Sequence, residues 1–193
     1  MSVPQSVEQV WSASSGLQPK LPDGVLLVSA VTGHNTSRID ARALIRARLC
    51  AALACALQVP PVHVTFISTA GCRPRVLIEG WPEPGLSISH DAGLSLAAVN
   101  LHGTVGVDLM RVQCVPDWQQ VARDYLGDEV AGRLLETCDA LRPQAFSSAW
   151  CQREAVLKLS GQPLAEWTHA AAPACSVFQI ALPNPFVGAL ALM

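Results

Sequence analysis

The 193-residue chain is 50% hydrophobic and only 15% charged, which excludes a disordered segment and describes one well-buried domain or two small ones. Its formal net charge of −2 gives no global basic field, which argues against nucleic-acid binding and confines any anion site to a local cluster. The seven cysteines are scattered, with no C-x-x-C pair, so a disulfide framework and a thiolate zinc site are both disfavoured and a reducing cytosol fits.

In chain order, residues 1 to 24 are polar and broken by Pro4, Pro19 and Pro22, which predicts a loose start with no charged and apolar leader pattern. VLLVSAV (25 to 31) predicts a first strand. Ser37 followed by Asp40 resembles a capping box, and apolar residues recur at helical spacing to about Leu57. The longest apolar run there, LCAALACAL (49 to 57), is too short to span a bilayer, so the expectation is a cytoplasmic protein without a membrane segment. HVTFIST (63 to 69) and VLIE (76 to 79) read as a strand pair around a Gly-Cys-Arg-Pro-Arg turn, LSLAAV (94 to 99) as another strand, and NLHG (100 to 103) as a turn. VGVDLM (105 to 110) is a short strand, and its alternation predicts that Asp108 points away from the core side, with Gly106 and Met110 beside it. Helices follow near 116 to 126, 128 to 138 and 146 to 159, the last stopped by Ser160-Gly161, and two strands around 176 to 182 and 187 to 192 close the chain.

Four segments carry residue types suited to phosphate chemistry. In AWCQREAVLKLSG (149 to 161), Glu154 and Lys158 are four apart and share a helix face. They form either a surface salt bridge or a carboxylate metal ligand with an ammonium one turn away, for which Asp108 is a candidate second carboxylate. Ser89 and His90 in SISHDAG (87 to 93) stand just before a strand, as turn residues or as hydrogen-bond donors to an anion. Arg38, Arg42 and Arg46 recur every four residues as a solvated stripe or a phosphate-binding one, and Arg73 and Arg75 flank Pro74 in a turn that adds to that patch. No G-x-S-x-G elbow accompanies Ser89, which disfavours a hydrolase.

Taken in order, GCRPR, SISHDAG, VGVDLM and FSSAWCQREAVLKLSG resemble the motif series of the 4′-phosphopantetheinyl transferases, specifically the larger, pseudo-dimeric class typified by the surfactin-synthetase enzyme. The resemblance spans about residues 38 to 161 and implies an α+β fold of two similar halves, each a small antiparallel sheet packed on a long helix. The halves would be residues 1–102, contacting coenzyme A phosphates, and 103–193, holding magnesium and docking a carrier protein. It implies transfer of the phosphopantetheine arm of coenzyme A to a serine of an apo acyl, peptidyl or aryl carrier protein, releasing 3′,5′-ADP, by a monomer that uses Mg²⁺. Residue by residue, it makes Asp108 and Glu154 the metal ligands and Lys158 the group that steadies phosphate charge. Ser89 and His90 would contact the coenzyme A phosphates, His90 at the 3′-phosphate, with Arg73 and Arg42 on the nucleotide. Attack by the carrier serine on the β-phosphorus would pass its proton to Glu154 or to a metal-bound water. Many members of this class carry a glutamate two residues after the strand aspartate, where this chain has Met110, a poor magnesium ligand. That departure leaves open a degenerate relative that binds coenzyme A or a carrier protein without transfer.

Overall fold

The computed structural model describes residues 10–11, 21–33, 36–69, 71–91, 93–168 and 174–193. Most of the loose start expected over residues 1 to 24 therefore lies outside the described residues. The fold is α+β, with small antiparallel sheets and four α-helices among the described residues, and the chain divides into two compact units, residues 1–105 and 106–193. None of the described helices is long and apolar enough to cross a membrane.

The first unit holds β1 (Val10–Trp11), β2 (Val25–Val31), α1 (Arg38–Leu57), a 3-10 turn (Pro61–His63), β3 (Val64–Ile67), β4 (Arg75–Ile78), β5 (Gly85–Asp91) and β6 (Leu94–Asn100). Its main sheet has the order β1-β2-β6-β5 with every neighbour antiparallel, while β3 and β4 pair separately. Helix α1 starts where the capping pattern predicts: the Asp40 N–H donates to Ser37 Oγ at 3.2 Å, and the Ser37 hydroxyl donates to Asp40 Oδ2 at 2.7 Å. Ile45, Leu49 and Leu53, spaced by one helical turn, then bury against Val28, Ala97 and Val76.

Strand β5 departs from the sequence expectation, since SISHDAG reads as turn-like from its Ser, His, Asp and Gly. The structure instead pairs Gly85 to Asp91 with Asn100 to Leu94 over seven positions. Alternation explains it: Leu86 and Ile88 pack into the α1 core, while Ser87 and Ser89 take the other face and are themselves buried.

The second unit holds β7 (Val105–Arg111), α2 (Trp118–Leu126), α3 (Asp128–Glu136), α4 (Arg142–Ser160), β8 (Ser176–Ile180) and β9 (Phe186–Leu192), with sheet order β7-β9-β8. Helix α4 serves two cores. Phe146, near its start, packs with Ala122, Leu126, Ala131 and Leu134 of α2 and α3. Cys151, Ala155 and Leu159, further along, pack against Ala189 and Ala191 of β9. It ends at Gly161, whose φ of 73° lets its N–H turn back to the carbonyls of the last turn.

Helix α4 also runs hard against β7. A Cβ added to Gly106 would lie 1.9 Å from the Ala155 carbonyl oxygen and 2.5 Å from the Leu159 nitrogen, both backbone atoms. No side chain fits there, so glycine is what lets the helix approach the strand at all. Gly106→Ala is expected to cost about 2–4 kcal/mol in urea unfolding. Gly132→Ala, in α3 with nothing within 4 Å of the new methyl, should instead gain ~0.5–1 kcal/mol. A Gly106→Ala protein as stable as the parent would mean that α4 and β7 are not in this contact.

Candidate functional site

The Gly106 contact decides what faces what in the second unit. Gly106, Asp108 and Met110 share one face of β7, and that face is covered by α4. Val105, Val107 and Leu109, on the other face, are buried as well. The expectation that Asp108 points away from a core is thus replaced by burial on both faces, with Asp108 directed toward the helix that carries Glu154 and Lys158.

Lys158 reaches the strand directly. Its Nζ donates to Asp108 Oδ1 at 2.7 Å and to the Val107 carbonyl at 3.1 Å. Asp108 is 7% exposed and the Lys158 side chain 30% exposed, so this is a part-buried ion pair anchored on a buried carboxylate. The alternative reading of Glu154 and Lys158 as a plain surface salt bridge therefore does not describe the lysine, whose ammonium turns to the strand.

Glu154, one turn before Lys158, is half-buried. Burial pushes its carboxyl above the usual glutamate range, and the negative charge of Asp108 pushes it further, against the opposing pull of Lys158 and Arg153. Two carboxylates that feel each other beside the part-buried Lys158 ammonium make an oxygen-rich locus suited to a hard cation. Among the described residues no group of three His, Cys, Asp or Glu side chains forms a ready metal cage. Magnesium, which keeps several waters and takes one or two protein carboxylates, does not require one. Met110 packs beside the apolar cluster of Cys151, Ala155 and Leu159 and adds no oxygen donor.

Two neighbours of this locus were not singled out from the sequence. Cys151 is fully buried, with Sγ 3.7 Å from the Val187 carbonyl, and burial together with the Asp108 carboxylate drives its thiol strongly upward. A thiol held protonated is no nucleophile, which removes cysteine chemistry from this position. Trp167 lies under Arg153, the guanidinium carbon 4.8 Å from the ring centroid, and its backbone N–H donates to the Asp124 carbonyl at 2.6 Å. A Cβ on Gly127 would come within 2.7 Å of that indole, so α2, α3 and α4 all bear on how Arg153 is held. Only the i, i+3, i+7 spacing of Cys151, Glu154 and Lys158 could have flagged the first. Trp167 sits too far along the chain for any periodicity to reveal.

The remaining sequence candidates belong to the first unit. Ser89 is buried in β5 and His90, next along the strand, is exposed, so the two side chains take opposite faces of the sheet. Arg42 is exposed on α1 and Arg73 is exposed in the turn before β4. Arg75 does not extend a free positive patch, because its guanidinium grips Glu83 through both carboxylate oxygens, Nε to Oε1 at 2.6 Å and Nη2 to Oε2. That grip holds the Glu83 carboxyl below its usual range. In the second unit, Leu126 and Leu134 are core residues. Trp118 instead packs under Arg142 and lines a pocket of about 160 Å³ with Val115, Pro143 and Phe146.

Removing the ammonium should expose the cost of the buried aspartate: Lys158→Met is expected to lose about 2–4 kcal/mol in urea unfolding, and adding Asp108→Asn to return most of it. Simple additivity of the two losses would show that the residues are not coupled. For Glu154 the sign runs the other way. A carboxyl raised in the folded state binds more protons than in the unfolded chain between the two pKa values, so stability falls as pH rises through that window. Glu154→Gln should therefore melt higher than the parent at neutral pH in the absence of divalent cations, with the advantage fading below the ordinary glutamate pKa. An advantage that grows in acid would contradict this.

No family model matches the chain. The chain is similar to the 4′-phosphopantetheinyl transferase HetI of Nostoc sp. (strain PCC 7120), with 29% identity over 112 residues, 57% of this chain and 47% of that protein. The chain thus spans about half the length of the curated relative it matches, and the likeness is to a transferase of phosphopantetheine.

Proposed function

We propose that this protein transfers the 4′-phosphopantetheine arm of coenzyme A to a serine of an apo carrier protein, with magnesium as cofactor and 3′,5′-ADP as the other product. The observation that carries this reading is the convergence of Asp108 and Glu154, with Lys158 on Asp108, across a strand and a helix 46 residues apart in sequence at the carboxylates. Similarity to HetI supports the same chemistry.

Asp108 and Glu154 would hold the magnesium ion, which supplies charge neutralisation on the pyrophosphate when bound. Lys158 orients Asp108 and places a positive charge beside the oxygens that gain charge as the phosphoanhydride breaks. In this reading Glu154 would also stand close enough to the reacting centre to take the proton of the attacking serine hydroxyl. His90, Ser89, Arg73 and Arg42 are assigned to the phosphates and nucleotide of coenzyme A. The half-buried Trp118 and its pocket are assigned to the carrier protein.

A second reading is favoured by Met110, whose packing among apolar side chains replaces an acidic residue common in the resembled class. In that reading the chain binds coenzyme A or a carrier protein and transfers nothing. Incubation with coenzyme A, Mg²⁺ and a panel of apo carrier proteins separates the two. Mass spectrometry is expected to record the added arm on at least one carrier, abolished by chelation and by Asp108→Ala or Glu154→Ala. Coenzyme A binding with no transfer to any carrier would favour the second reading, and near-normal turnover in either variant would remove the metal assignment.

A further inference from the structure

His90 is the exposed member of its pair on β5, yet its ring is tied down from inside the sheet. Its Nδ1 lies 2.7 Å from the hydroxyl oxygen of Ser95, which is 1% exposed. The tie follows from register: His90 and Ser95 are directly opposite each other across the antiparallel β5–β6 ladder, so both side chains rise from the same face at adjacent positions. A hydroxyl so thoroughly buried needs a hydrogen-bond partner, and the imidazole supplies it. Asp91 and Leu94 form the next pair, closing the ladder one step from the end of the hairpin, which limits how far the two backbones can drift apart.

We infer that Ser95 is the positioning residue for His90, its hydroxyl donating to Nδ1. The two ring nitrogens are then unequal. A neutral imidazole that accepts at Nδ1 must carry its proton on Nε2, the nitrogen on the opposite side of the ring from Ser95. Ser95 therefore selects the tautomer that presents an N–H donor away from the sheet, the form that can bond a phosphate oxygen, and removes the ring rotation that binding would otherwise have to freeze. This inference rests on the assignment of His90 to a coenzyme A phosphate, and it adds that the strength of that contact is set by a buried serine on the neighbouring strand.

The test compares coenzyme A with 3′-dephospho-coenzyme A in carrier modification, reading the ratio of their kcat/KM values. Ser95→Ala is expected to lower that preference about threefold to tenfold, mainly through the KM for coenzyme A, and His90→Ala at least as far. Ser95→Thr, which keeps the hydroxyl, should restore the preference relative to Ser95→Ala. An unchanged ratio in Ser95→Ala with a lowered one in His90→Ala overturns the role of Ser95 alone. An unchanged ratio in His90→Ala overturns the phosphate assignment itself. Nitrogen-15 NMR of the histidines in the parent protein, with His90 identified by its loss in His90→Ala, gives a reading that needs no folded serine variant: the Nε2–H tautomer is expected, and the Nδ1–H tautomer overturns the inference.

Discussion

Everything at the carboxylate locus depends on one close approach, the backbone of β7 against the backbone of α4 at Gly106. A side chain at Gly106 would overlap the Ala155 carbonyl oxygen, so the contact exists only because that position has no Cβ. The same approach buries Cys151, Ala155 and Leu159 against the small residues of β9, and it brings Lys158 within hydrogen-bonding reach of Asp108 two residues beyond the glycine. Packing and chemistry are therefore the same feature. A helix held even a side chain's width further out would take the Lys158 ammonium out of reach of Asp108.

The charges in this region are imbalanced in a way that matters for function. Asp108 has the Lys158 ammonium, while Glu154 is half-buried and feels Asp108 as a repulsive neighbour. A structural ion pair alone would not need the second carboxylate. Burial that raises one acid beside a second carboxylate is the arrangement expected of a site that takes up a proton or a cation. The neighbouring Arg153 is held on Trp167, so its charge stays near Glu154 through packing with the segment that follows α4.

Much of this was legible in the sequence, and the reasons are specific. The capped first helix and the long helix carrying Glu154 and Lys158 followed from Ser37 with Asp40, from helical spacing, and from the Gly161 stop, while the α+β class was implied by the family resemblance. Strand β5 was missed because Ser89, His90 and Asp91 look like turn formers until β6 pairs with them along its whole length. For Asp108, alternation separated the two faces of β7 correctly but could not show that residues on both are buried. Arg75 was grouped with Arg73 from proximity in sequence, whereas Glu83, eight residues on, claims its guanidinium. Ser95 and Trp167 act through cross-strand and tertiary contacts that no local pattern encodes.

The central claim is that Asp108 and Glu154 form a hard-cation site on the face where α4 meets β7. Isothermal titration of Mg²⁺ into the protein saturated with coenzyme A measures it directly. Saturable binding is expected in the parent, lost in Asp108→Ala and in Glu154→Ala, each shown folded by its melting curve. Parent protein that takes up no magnesium, or variants that take it up undiminished, would contradict the assignment.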